Sequence, residues 1–357
     1  MRKAGDDAVG STRKNRPGIR DVARVSGVSI STVSRVLSGS DYPVSPDIKE
    51  KVLEGARALN YRAAKPSGEV KEIAAVIPTV ANPFYASMTA RFGAEISAAG
   101  YNLVTYSSSF ENTRELLIKS ICKKNFAGIL VASADMYSDF IRLAEEQKLG
   151  GAKLVFADCP FPQQQFSSVC VDYKKGAYLG TEYLIHCGHR DIVYAGMVLD
   201  RESRLLRVQG FKEALAAGGI RLNEDQLIIA SDFDKTSEMY QTEVGELLAK
   251  EILSRESLPT AVVVVNDMVA FGMLRFFANN RVKVPEDISV LGFDDNIFCQ
   301  VCNPPLSTVK VQDEQIGRLA AKLLLDDIAD SYDSDNLNLR IEPSLVDRGT
   351  IRKIRNQ

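Results

Sequence analysis

The sequence predicts a small all-α headpiece followed by an α/β unit of two doubly wound parallel-sheet lobes. Three observations carry this. Residues 21–38, DVARVSGVSISTVSRVLS, read as two short helices around a glycine turn. Beyond residue 72, short apolar runs alternate with helical stretches almost to the C-terminus. Runs that are apolar throughout suit strands covered on both faces, and nine or more of them fit two sheets better than one. A chain of 357 residues, 45% of them hydrophobic, is long enough to build such cores.

Residues 1–16 form a basic arm with too little apolar content to fold. Residues 17–62 form the headpiece. Val22 and Ala23 give its first helix an apolar face, Gly27 suits a turn with positive φ, and Ser29 is placed to cap the second helix. At about 100° per residue, Val33, Val36 and Leu37 share one side of that helix while Ser31 and Arg35 point the other way. A helix that packs one face and shows a small polar residue and an Arg on the other suits a DNA major groove. A third helix starts at Ser45-Pro46 and runs to about Leu59. Residues 63–72, AAKPSGEVKE, form a polar linker, residues 73–350 the α/β unit, and residues 351–357 a tail. Strands are expected at residues 73–78, 102–107, 128–133, 153–158, 168–172, 191–196, 227–231, 260–266 and 288–294, with helices over stretches such as 84–99 and 173–187.

The net charge of −2 hides an uneven distribution. Residues 1–65 carry 13 Lys and Arg against 7 Asp and Glu, and the rest carry 31 against 39. The field that attracts a polyanion is therefore confined to the headpiece. The opening residues are polar, and no apolar run is long enough to cross a bilayer, so a cytoplasmic chain without membrane partner is expected. The six Cys are scattered, and Cys299 and Cys302 make a lone CxxC without a second pair. The two His, His186 and His189, flank Cys187, but Gly188-His189-Arg190 reads as the close of a helix. No metal or cofactor is expected. The chain has no GxGxxG after a strand, no Walker A sequence and no GxSxG elbow, so nothing recommends an enzyme.

The stretch GIRDVARVSGVSISTVSRVLSG resembles the N-terminal helix-turn-helix of the lactose-repressor (LacI) family of bacterial transcription regulators. The likeness continues through Val52-Leu53, Leu59 and Asn60-Tyr61-Arg62, and recurs in the later blocks NPFYA, RVQGFKEAL, VVNDMVAFG and GFDD. It implies a periplasmic-binding-protein-like effector domain and a symmetric dimer reading an inverted repeat in double-stranded operator DNA. The effector it implies is a sugar or sugar derivative, with purines open. The family's base-reading positions fall on Ile30, Ser31 and Arg35. Arg35 suits a bidentate contact with guanine, whereas Ile30 is torn between packing and a thymine methyl. Ser29, Thr32 and Ser34 are assigned to phosphates.

Effector contacts carried over from the family fall on Phe84, Tyr85, Arg207, Phe233, Asn266 and Asp294, and Asp158 is a weaker candidate. Most of these follow strands, where ligands bind in open α/β folds. A carboxylate and a guanidinium can each hold neighbouring hydroxyls. Plainer readings stand beside these: Asn266 or Asp267 as a helix cap, Arg207 in a structural ion pair, Phe84 as core, Asp295 as loop geometry. One departure concerns the hinge, which in the family forms a helix that wedges a Leu into the minor groove. Here it is short, lacks Leu and contains Pro66-Ser67-Gly68, which predicts a loose linkage without the wedge. A small-molecule receptor of the same fold with lost DNA binding remains the alternative, and an enzyme on the same scaffold a remoter one.

Overall fold

The computed structural model describes residues 19–37, 44–59, 71–108, 114–158, 165–231, 239–329 and 336–354. The expected arm, hinge residues 63–70, Tyr61 and Phe233 lie outside the described residues. The chain divides into two compact units, residues 1–69 and 70–357.

The first unit holds α1 (Ile19–Ser26), α2 (Ile30–Leu37) and α3 (Pro46–Ala58). Gly27 adopts φ +68°, which links α1 to α2 in a turn that a residue with a Cβ would strain. Ser29 Oγ accepts from Thr32 N at 3.2 Å and so caps α2 as expected. Ser45 stands at the cap of α3 but makes no cap bond, so Pro46 at the first helical position marks that start. Val22, Val33 and Val52 are fully buried, with Ala23 and Ala56 beside them and Val36, Leu37 and Leu59 around the edge. Each fully buried Val contributes roughly 1.5–3 kcal/mol, so one residue from each helix ties the unit together.

The second unit contains two six-stranded sheets. Lobe 1 has the order β2 (Asn102–Ser107), β1 (Glu72–Ile77), β3 (Gly128–Val131), β4 (Lys153–Ala157), β5 (Ser167–Val171) and β11 (Asn338–Ile341). Lobe 2 has the order β7 (Leu227–Ala230), β6 (Ile192–Met197), β8 (Ala261–Val264), β9 (Ser289–Asp294), β10 (Ser307–Lys310) and β12 (Ser344–Val346). All pairings are parallel except β10 with β12. All nine expected strands are present. Those of β1, β3, β6, β8 and β9 are buried almost throughout, as continuous apolar runs require. Helices α4 (Pro83–Ala98) and α11 (Asp313–Ile328) pack on lobe 1, and α8 (Glu202–Ala217), α9 (Tyr240–Leu253) and α10 (Asp267–Asn279) on lobe 2.

Three strands escape the apolar-run criterion. β10 buries Ser307 and Thr308, whose hydroxyls donate to Asp347 at 2.8 Å and Asp267 at 2.6 Å. β11 and β12 are short edge strands with exposed positions. The expected boundaries also shift. Glu72 belongs to β1 rather than to the linker. Residues 351–354 are no tail: Ile354 N donates to Cys187 O at 2.7 Å, and Arg352 O lies 3.0 Å from Nε2 of buried His189.

The chain passes between lobes three times: after β5, after β10, and between β11 and β12. These crossings are bound to each other. Asp172 N donates to Ile341 O at 3.1 Å, Gln312 Nε2 donates to Glu342 O at 2.9 Å, and Lys175 pairs with Glu342. Three parallel connections of this kind form a natural hinge for lobe rotation.

Candidate functional site

On α2, burial separates two faces. Val33 is fully inside, Val36 and Leu37 pack at the edge of the core, and Ser31, Ser34 and Arg35 are exposed. Ile30 is 47% exposed and makes no part of the core, so packing does not claim it. Ser29 is exposed, Thr32 half-buried, and Ser29 Oγ also lies 2.9 Å from Ser31 Oγ and 2.8 Å from Thr32 Oγ1. The predicted surface is therefore one continuous strip along the start and outer side of α2.

A second candidate site is a small pocket of about 60 Å³ between the lobes, at the carboxyl ends of β1, β4, β6, β8 and β9. This is where an open α/β fold places its ligand. Lobe 1 contributes Asn82, Phe84, Tyr85 and Asp158, and lobe 2 contributes Arg201, Arg204, Arg207, Gln241, Asn266 and Asp294. Of the expected effector residues within the described chain, all five (Phe84, Tyr85, Arg207, Asn266 and Asp294) line it, and so does Asp158.

The local sequence explains each placement. Asn82 caps α4 by accepting from Phe84 N at 3.0 Å, which sets Phe84 and Tyr85 in the first turn with their rings edge to face, centroids 4.9 Å apart. Phe84 is buried and shared between core and cavity. Tyr85 Oη donates to Asp158 Oδ2 at 2.9 Å. Burial pushes the Asp158 carboxyl up to about 6, although Arg207 and the Tyr85 bond oppose this, and burial raises the Tyr85 phenol as well. Asp158 and Asp294 adopt φ of +57° and +119°, conformations that carry strain of about 1–3 kcal/mol and gather at functional sites.

Arg207 is both things at once. Its Nη2 stands 3.5 Å from Asp294 Oδ1, and its guanidinium carbon lies 4.4 Å and 4.3 Å from the centroids of the adjoining Tyr173 and Phe293 rings. Burial raises the Asp294 carboxyl well above the usual range despite that cation. Asn266 caps α10 by accepting from Val269 N at 3.0 Å, while its Nδ2 donates to Gln241 Oε1 at 3.0 Å on the cavity side. Asp267 is structural: it accepts from Thr308, Asn296 N and the Cys299 thiol in full burial, which raises it to about 6. Asp295 holds Arg348 at 2.6 Å and Lys310 at 3.4 Å, which fits its reading as loop geometry.

Residues missed in the sequence include Arg201, Arg204, Tyr173 and Gln241. Arg201 and Arg204 stand six and three positions before Arg207, so helical spacing alone could have found them. Gln241 follows no apolar strand directly and gave no such signal. Two contacts close the lobes on each other: Arg201 Nη2 donates to Asp135 at 2.7 Å, and Asn82 Nδ2 to Gln241 at 3.4 Å. Among the described residues there is no cluster of His, Cys, Asp and Glu that could hold a metal, and no helix long and apolar enough to cross a membrane.

A helix-turn-helix unit followed by a two-lobed ligand cleft defines a ligand-responsive DNA-binding regulator. Residues 18–63 match the model of bacterial regulatory proteins of the lacI family, and residues 181–351 match a periplasmic binding protein-like domain. The chain is 30% identical to the ribose operon repressor of Haemophilus influenzae, over 94% of this chain and 99% of that protein. It is 27% identical to the HTH-type transcriptional repressor PurR of Vibrio parahaemolyticus over the same shares. Among solved structures, a complex of the transcriptional regulator CelR with cellobiose superposes with a TM-score of 0.68 at 28% identity, covering 94% of this chain and all of that one. The chain belongs to the lacI family of bacterial regulatory proteins, and it is not an enzyme.

Proposed function

We propose that the protein is a cytoplasmic transcriptional repressor that binds an inverted-repeat operator as a homodimer and is controlled by a small polyhydroxylated effector. The observation that carries the reading is the division of α2: Val33 is locked into the core while Ser31, Ser34 and Arg35 face outward. Arg35 reads guanine, Ile30 and Ser31 add base contacts, and Ser29, Thr32 and Ser34 hold phosphates. We take the domain order to be arm, headpiece, short hinge and effector unit, with the effector unit reaching from Glu72 to Ile354. Relatives named as the ribose operon repressor and the HTH-type transcriptional repressor PurR support the direction of control.

In the cleft, Arg207 and Asp294 hold hydroxyls, Asn266 adds a further polar contact, and Phe84 and Tyr85 cover the ligand's apolar side; Phe233, outside the described residues, is an effector contact on the family resemblance alone. Effector binding biases the lobe angle, and DNA affinity follows by linkage. An exposed apolar surface at Val80, Ile297, Phe298 and Val301 supports a dimer. The test is fluorescence anisotropy with duplexes from the promoter beside the protein's own gene. Saturable binding that random duplex does not displace at moderate salt supports the reading, and equal displacement by random duplex overturns it.

A further inference from the structure

Three guanidinium groups reach the cleft from one edge of one helix. Arg201 is the residue before α8, Arg204 and Arg207 follow at steps of three, and all line the cavity beside Ser203. Arg207 is only 9% exposed, and its buried Nε has no hydrogen-bond partner. Arg201 Nε is likewise buried without a partner, although its Nη2 holds Asp135. Arg204 gives Nη1 to Val198 O and Asp200, but its Nη2 meets only the Met197 sulfur at 3.8 Å, a weak acceptor. No side chain caps α8, so its positive end adds to the same edge.

The opposing carboxylates are Asp158 and Asp294, and Asp158 Oδ1 is buried without a partner. Burial pushes both acids toward their neutral forms, whereas guanidinium groups stay charged. Each guanidinium has one carboxylate, Asp135 for Arg201, Asp200 for Arg204 and Asp294 for Arg207, but Arg201 Nε, Arg207 Nε and Arg204 Nη2 keep donor capacity that a neutral sugar with its few hydroxyls would fill only in part. An anion with two or three oxygens satisfies both sides.

We propose that the effector is a polyhydroxy anion, a sugar skeleton bearing a carboxylate or phosphate. Its charged group is held at the N-terminal edge of α8 by Arg201, Arg204 and Arg207, with its hydroxyls turned toward Asp158 and Asp294. This rests on the cleft being the effector site. Arg201 and Asp135 join the two lobes at the edge of this pocket, so a bound anion that competes for Arg201 would also bear on the lobe contact.

The test is calorimetric titration of the full chain with D-gluconate, D-galacturonate, glucose 6-phosphate and ribose 5-phosphate, each set against neutral glucose, galactose or ribose, with hypoxanthine as a further arm. At least one anion is expected to bind ten or more times as tightly as its neutral parent, and the carboxylate and phosphate arms identify the group. Arg201→Gln is expected to weaken that anion by about 10- to 100-fold and to narrow the gap to the parent, with partial recovery in Arg201→Lys. Arg204→Gln is a second variant with the same expected narrowing. A neutral sugar or hypoxanthine that binds as tightly as the anions overturns the anionic effector and leaves the effector cleft standing. Equal weakening of anion and parent in both glutamine variants does the same. Silence from every compound overturns both readings.

Discussion

Arg207 and Asp294 face each other at 3.5 Å, and the guanidinium carbon of Arg207 lies 4.4 Å from the Tyr173 ring centroid and 4.3 Å from that of Phe293. The two rings hold the cation by close cation–π contact while the carboxylate sits too far for a short hydrogen bond. The pair is thus held in place with bonding capacity left for a ligand. Lysine would keep the charge but lose the flat stacking surface. Arg207→Lys is expected to lower unfolding free energy by about 1 kcal/mol in urea titration. Unchanged stability would show that the stack contributes nothing.

Asp158 gives a pH-dependent prediction. Its carboxyl is pushed from 3.8 up to about 6 in the folded chain, chiefly by burial. The folded state therefore binds this proton more tightly than the unfolded chain. Ionisation of Asp158 removes stability as pH rises from about 4 to about 6, and the whole penalty is present above that range. Asparagine cannot ionise, keeps an acceptor for the Tyr85 hydroxyl and tolerates φ +57°. Asp158→Asn is expected to be more stable than wild type by about 1–2 kcal/mol above pH ~7, with the gain vanishing below pH ~4. A difference independent of pH in thermal melts would contradict the burial argument.

Much of this fold was legible because its strands are written as apolar runs, from IAAVI in β1 to SVLGF in β9. What stayed hidden was burial satisfied by hydrogen bonds. Ser307 and Thr308 look like loop residues until Asp347 and Asp267 are placed beside them. The same reason hid residues 351–354, whose backbone is tied to Cys187 and His189 from a distant part of the chain. In the cleft, the ends of strands and the family blocks pointed to Tyr85, Arg207, Asn266 and Asp294. Arg201 and Arg204 carry no motif of their own, and their spacing from Arg207 along the start of α8 is the one sequence signal that could have marked them.

The exposed strip of α2 separates reading from folding. Ile30 belongs to no core cluster, so Ile30→Ala is expected to change headpiece stability by less than about 0.5 kcal/mol. If its side chain meets a thymine methyl, the same change weakens binding to the preferred duplex and spares others. Arg35→Ala is expected to cost about 1–3 kcal/mol on the preferred duplex and little on random sequence. Anisotropy titrations against both duplexes check this. Equal loss on both would reassign Arg35 to a phosphate.

The apolar surface around the short 3-10 turn Ile297–Gln300 predicts how the chain assembles. Ile297 is 71% exposed and Val301 76%, with Phe298 half out, and Ile297, Phe298 and Val80 of lobe 1 line a groove of about 980 Å³ whose other lining is mainly polar and charged. Solvent-facing aliphatic groups gathered like this are costly to leave uncovered and mark a protein contact. Because Ile297 touches solvent rather than core, aspartate at that position should leave the fold intact while placing a charge in any apolar interface. Ile297→Asp is therefore expected to shift the protein from dimer to monomer in sedimentation velocity at micromolar concentration, with an unchanged melting profile at the level of secondary structure. Operator affinity should fall with it, because two tethered headpieces on adjacent half-sites gain about 10²- to 10⁴-fold over one. An unaltered sedimentation coefficient would move the interface elsewhere, and a monomeric variant with full operator affinity would break the link between assembly and DNA binding.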